Sequence, residues 1–75
     1  MKIEILGTGC AKCKALEENA KKAVADSGVF AQVEKVEDLV EIMNYGVMNT
    51  PGLVINGEVK STGKLLNSDE IKAFF

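Results

Sequence analysis

Cys10 and Cys13 are the only cysteines among 75 residues, and they stand three apart where a short apolar strand gives way to a helix. The chain contains no histidine. A helix N-terminus presents unpaired backbone N–H groups and a partial positive charge of about half a unit. A thiolate placed there is stabilised relative to its thiol, and the thiolate is the reactive form. Cys10-Ala11-Lys12-Cys13 therefore reads first as a redox pair. With Cys10 at the cap or first turn, its sulfur lies toward solvent and accepts from the N–H groups that follow. Cys13, one turn further in, points along the Leu16–Ala20 stripe toward the interior. Dithiol exchange needs that asymmetry: an exposed thiolate attacks a substrate disulfide, and a shielded thiol resolves the mixed disulfide that results.

Two lysines flank the pair. Lys12 and Lys14 both add positive charge that favours the Cys10 thiolate; the plainer reading of each is a solvated helix charge, and it suits Lys14 better, since that residue is placed for an i,i+4 pair with Glu18 worth only tenths of a kcal/mol. A purely structural disulfide is the competing reading, and its energetics are poor. Closing a loop of about four residues removes roughly 1.9 kcal/mol of unfolded-state entropy, against about 3 for fifteen residues.

The elements that must position this pair follow from periodicity. Lys2–Leu6 alternates apolar and charged residues and reads as a strand, with Gly7-Thr8-Gly9 as the turn after it. From Ala11 to Asp26, the positions Cys13, Leu16, Ala20, Ala23 and Val24 recur at steps of three and four, which marks an amphipathic helix with a narrow, small-residue stripe. Gly28 supplies its stop. Val29–Val36 reads as a second strand. Glu37 and Asp38 favour the start of a short helix carrying Leu39, Ile42 and Met43, closed by Gly46. Leu53-Val54-Ile55 and Glu58-Val59-Lys60 are two further strands around Asn56-Gly57, a type I′ hairpin signal. Ser61–Leu66 reads as a loop, and Asn67 with Glu70 forms a capping box for a last helix bearing Ile71, Phe74 and Phe75. Thr50-Pro51 precedes the third strand, where proline costs one ladder donor at the strand's first position.

This order, βαβαββα, predicts an α/β fold: a four-stranded mixed sheet whose first two strands are parallel, with helices on both faces. Residues 1–75 make a single small domain. At 47% hydrophobic and 27% charged, the composition is that of a globular protein. A net charge of −2 gives no footprint for nucleic acid or an anionic membrane. No apolar run reaches the roughly 20 residues of a membrane span. Met1–Leu6 reads as a strand and not as a signal peptide, so the expected location is the cytoplasm, where paired cysteines are catalytic or metal-binding more often than structural. Glu4 is expected to face solvent, the alternative being a place on the sheet beneath the cysteines where it would accept protons during turnover. Tyr45, Phe30, Phe74 and Phe75 are expected in the core or half-buried, and Met43 and Met48 are expected to fill gaps within it.

Taken together, Gly7-Thr8-Gly9-Cys10-Ala11-Lys12-Cys13-Lys14, then Val47-Met48-Asn49-Thr50-Pro51-Gly52 ahead of Leu53-Val54-Ile55-Asn56-Gly57, and finally Ser61-Thr62-Gly63 resemble the thioredoxin superfamily. The chain is most similar to the small prokaryotic glutaredoxin-like thioredoxins, the redox-active disulfide proteins, along essentially its whole length. The resemblance implies a thioredoxin-like fold of the glutaredoxin-type minimal core. It implies Cys10 as nucleophile, Cys13 as resolving thiol, and a cis Pro51 packed beside the sulfurs. The Thr50 backbone would pair with an extended substrate segment. It also implies electron transport to protein disulfides, a reductase of the thioredoxin-reductase type as partner, a monomer, and no cofactor beyond the Cys10–Cys13 disulfide. The departures are the Ala11-Lys12 pair between the cysteines, without proline, and the absence of a flanking tryptophan. A single Gly63 followed by Lys64 also replaces the Gly-Gly and acidic residue with which glutaredoxins hold glutathione. That points to a protein dithiol partner.

Two rivals stand beside this reading. A soft-metal carrier could use the two thiolates for Cu(I) or zinc. A closed zinc site needs four ligands, however, and one chain offers two sulfurs and no imidazole. Thr8 also occupies the position where copper-carrying C-x-x-C domains place methionine, and their βαββαβ order differs. The other rival is a non-catalytic thiol-bearing adaptor that binds partners through the Thr50-Pro51 surface.

Overall fold

The computed structural model describes residues 1–75. Its elements run β1 (Lys2–Leu6), α1 (Ala11–Ser27), β2 (Gln32–Val36), α2 (Leu39–Asn44), β3 (Gly52–Ile55), β4 (Glu58–Thr62) and α3 (Ser68–Lys72). The sheet order is β2-β1-β3-β4. β1 and β2 are parallel, with Leu6 opposite Val36, while β3 pairs antiparallel with both β1 and β4. The βαβαββα order and the mixed sheet are those the sequence predicts.

Alternation along the strands divides the interior in two. Ile3, Ile5, Leu53 and Ile55 face α1 and α3, burying Leu16, Ala20, Ala23, Leu66 and Ile71 against them. Leu6 and Val54 point to the other face, where they meet Val36, Val47 and Ile42 of α2. The small residues of α1 let it lie close against the sheet. Each helix starts on the cap its sequence offers. The Asp38 carboxylate accepts from the Val40 N–H at 2.8 Å. Asn67 and Glu70 satisfy each other's backbone N–H at 2.8 and 3.0 Å, a complete capping box. At the hairpin, Asn56 and Gly57 both take positive φ, 51° and 82°, as a type I′ turn requires.

Several expectations are corrected. β2 begins at Gln32 and not at Val29, because its partner β1 starts at Lys2, directly opposite Gln32; beyond that register the Met1 ammonium donates to the Phe30 carbonyl at 3.3 Å without extending the ladder. Phe30 consequently lies beyond the sheet at 94% exposure, outside the core. β4 continues through Ser61 to Thr62 in place of the expected loop, since Leu53 and Gly52 need partners. A bulge at Lys60 brings Ser61 and Thr62 into register with them. Lys14 forms no pair with Glu18; the ion pair on α1 is Glu17–Lys21 at 3.7 Å. Met43 and Met48 are exposed, and Phe74 also remains partly in solvent.

Glu4 is buried at 8% exposure, against the expectation that it faces solvent. It lies on the α2 face of the sheet, and the Tyr45 hydroxyl donates to its Oε1 at 2.8 Å. Tyr45 is half-buried as expected, but its value lies in this bond, which ties the end of α2 to β1. The bond to Glu4, then burial and the negative charges of Glu4 and Glu41, raise the Tyr45 pKa above its ordinary 10.0. A raised folded-state value means the neutral phenol is favoured by folding. Its contribution is complete below the unfolded value and is lost as pH rises through the folded one. The expected result is a stability that declines at strongly alkaline pH more steeply in the wild type than in Tyr45→Phe, followed by denaturant midpoint against pH. Parallel profiles for the two proteins would refute the coupling.

Candidate active site

β1 ends at Leu6, and the chain turns through Gly7, Thr8 and Gly9 into α1. Cys10 is the N-cap of that helix, with extended backbone at φ −69° and ψ 165°. Its side chain is exposed, whereas Cys13 is 5% exposed and belongs to the buried stripe of α1. The two are joined in a disulfide, their Cα atoms 5.1 Å apart. The Cys13 backbone N–H donates to Cys10 Sγ at 3.2 Å. The exposed sulfur thus takes the place of the oxygen in an ordinary N-cap and meets an otherwise unsatisfied helix donor. No acidic side chain stands in the first turn of α1, so nothing on the helix itself opposes the positive end of its dipole.

The second half of the site arrives from across the sheet. The Thr50–Pro51 peptide bond is cis, and Pro51 is buried at the entrance to β3. The Pro51 carbonyl accepts from the Gly63 N–H at 2.8 Å, so the end of β4 pins this turn. Gly7 marks where the two halves meet. A Cβ built there would overlap Cys13 Sγ, lie 3.0 Å from Cys13 Cβ, and come within 3.9 Å of Thr50 Cβ. Tertiary structure therefore brings Cys10, Cys13, Thr50 and Pro51 to one end of the molecule, with Gly7 between the disulfide and the turn. Lys12 sits exposed on the first turn of α1 and enters no ion pair. Of His, Cys, Asp and Glu, no group of three or more is placed to hold a metal ion.

A thioredoxin-domain family model matches residues 1–75, the whole of the chain. The chain belongs to the thioredoxin family. It is 44% identical over 72 residues to a thioredoxin of Methanothermobacter thermautotrophicus, covering 96% of this chain and 94% of that protein. It is 43% identical over 70 residues to a thioredoxin of Methanocaldococcus jannaschii, covering 93% of this chain and 80% of that one. Family membership and the Cys10–Cys13 disulfide together make this protein a thiol–disulfide oxidoreductase. No helix of this thioredoxin-family chain is long and apolar enough to cross a membrane.

Sequence reasoning gave no role to two residues that the fold brings to this end. Gly7 reads there only as part of a turn; its closeness to Cys13 and Thr50 involves residues distant in sequence. Glu37 reads as a helix-start charge, yet a Cβ on Gly9 would lie 3.6 Å from its Oε2. No signal along the chain pairs Glu37 with the loop before Cys10. The pairing of Leu6 with Val36, and the bond from the Gly7 N–H to the Val36 carbonyl at 2.9 Å, put it there.

Proposed function

We propose that this protein reduces disulfides in client proteins, with Cys10 as the attacking thiolate and Cys13 as the resolving thiol. The Cys10 thiolate attacks one sulfur of the client disulfide, and the other client sulfur leaves as a thiolate that takes up a proton. Cys13 then gives up its own proton and attacks Cys10 Sγ, releasing the second client thiolate. Two electrons have passed to the client, and the chain holds the Cys10–Cys13 disulfide. A dithiol reductase of the thioredoxin-reductase type restores the reduced pair by the same exchange in reverse. No cofactor is needed beyond the cysteines, and the reducing cytoplasm is the compartment that suits the cycle.

The observation that carries this reading is the Cys13 N–H donated to the exposed Cys10 Sγ, with Cys13 itself buried. After reduction, the same donor and the helix dipole favour negative charge on Cys10, and burial disfavours it on Cys13. Lys12 adds to the first effect. Thr50, beside Gly7 and ahead of the buried Pro51, offers backbone groups to an extended client segment in the manner of an added strand. The expected result is that Cys10 of the reduced protein alkylates faster and titrates at lower pH than Cys13, measured as rate against pH in Cys13→Ser and Cys10→Ser respectively. A faster or more acidic Cys13 would reverse the roles.

A further inference from the structure

Beside the redox loop, α2 leaves a groove of about 310 Å³ with Thr8 and Thr50 at its disulfide end and Leu39, Ile42, Met43 and Met48 beyond. Three of its apolar residues are largely in solvent: Leu39, Met43 and, at 95% exposure, Met48. The groove is continuous with the Thr50 turn. Its walls carry no charge. Charge enters at the loop itself, where the Glu37 carboxylate stands over Gly9, one residue before Cys10. Glu37 is exposed, makes no side-chain hydrogen bond, and takes part in none of the four ion pairs, which are Lys2–Glu34, Glu17–Lys21, Glu58–Lys60 and Asp69–Lys72. It is an exposed anion outside every ion pair, standing over the residue that precedes Cys10. The exposed cations nearest to Cys10 in sequence, Lys12 and Lys14, belong to α1 and not to the β2–α2 segment.

We infer that Glu37 is a specificity-determining residue, whose carboxylate favours clients carrying lysine or arginine next to the attacked cysteine and disfavours those carrying an acid there. The inference rests on Cys10 as the attacking thiol. The carboxylate stands over the residue before Cys10, so a separation of roughly 7 Å from a side chain adjacent to a client cysteine bonded to Cys10 is the scale to consider. At that distance in water at low ionic strength, exchanging a positive for a negative charge alters the rate about fivefold, mostly through association.

The test uses symmetric disulfides of single-cysteine peptides, identical and apolar except for Lys, Gln or Glu after the cysteine. They are reduced by the dithiol form of the full chain. The reading is the ratio of kcat/KM for the Lys peptide to that for the Glu peptide, which a general loss of activity does not move. The ratio is expected to fall about fivefold from the wild type to Glu37→Gln and about fivefold again to Glu37→Lys, whatever constant bias Lys12 adds, with each step shrinking at high salt. Glu34→Gln makes the same change in net charge on exposed β2 and should leave the ratio at the wild-type value. An unaltered ratio in Glu37→Gln, or an equal fall in Glu34→Gln, overturns the inference while leaving the exchange chemistry intact. Failure of the Gln peptide to be reduced through Cys10 overturns the underlying reading, and the inference with it.

Discussion

Replacing Cys10 with serine is expected to abolish client reduction, and replacing Cys13 with serine to turn the protein into a trap for its clients. A serine hydroxyl at the N-cap can still accept the residue 13 N–H, so the fold survives the first change. It cannot attack a disulfide at neutral pH, and turnover falls to background. In Cys13→Ser the first half of the cycle remains. Cys10 stays exposed at the cap, attacks, and forms a mixed disulfide that no neighbouring thiol resolves. A non-reducing gel after incubation with a disulfide client should show that adduct in Cys13→Ser and not in Cys10→Ser. The reverse pattern would exchange the two roles. Residual turnover by Cys10→Ser near the wild-type rate would remove dithiol exchange at this pair altogether.

Gly7→Ala should cost about 1–3 kcal/mol, although the change adds only a methyl group. Gly7 is not among the positive-φ glycines, so its backbone suits alanine and the demand is for space. The new Cβ would overlap Cys13 Sγ and approach Cys13 Cβ to 3.0 Å, with Thr50 on its other side. Neither neighbour moves freely. Cys13 is fixed in the buried stripe of α1, and Thr50 is followed by a proline that the Gly63 N–H holds in place. For a domain of this size the cost corresponds to a fall in Tm of roughly 5–20 °C. Relief of the overlap must separate the start of α1 from the Thr50 turn, so Cys13 should also alkylate faster in the reduced variant. A Tm within about 2 °C of wild type, with Cys13 still protected, would show that the site tolerates a side chain at residue 7 and that the close approach has no energetic weight.

Where the physics is local, the amino-acid order was enough. The three-and-four spacing of Cys13, Leu16, Ala20, Ala23 and Val24 marks the inner face of α1; the first four are buried and Val24 is half-buried against the same core. Gly28 in the left-handed conformation, the Asn67–Glu70 capping box and the Asn56-Gly57 turn each depend on a few neighbouring residues. Cys10 at the cap, with its sulfur accepting from Cys13, belongs to the same class, because a helix end and a side chain three residues away define it. The misjudged residues are those whose surroundings come from elsewhere in the chain. Phe30 is exposed because the pairing with β1 begins only at Gln32, a matter of register between two strands. Glu4 occupies a charged position in an alternating strand, which suggests solvent. It is buried because α2 covers that face and Tyr45, forty-one residues away, satisfies the carboxylate. Met43 and Met48 are apolar residues with nothing packed over them, which composition cannot reveal.

The elements, their order, and the pairing of two sulfurs at a helix start are legible along the chain, since each depends on interactions within a few residues. What surrounds those sulfurs follows from the packing of distant segments. That packing brought the Thr50–Pro51 turn to Gly7, the Glu37 carboxylate to Gly9, and a groove lined by Met43 and Met48 to the side of both. These juxtapositions join segments about 30 to 45 residues apart, as with Gly9 and Glu37 or Gly7 and Thr50. Strand register and the packing of α2 on the sheet fix such distances, and neither leaves a periodic trace along the chain.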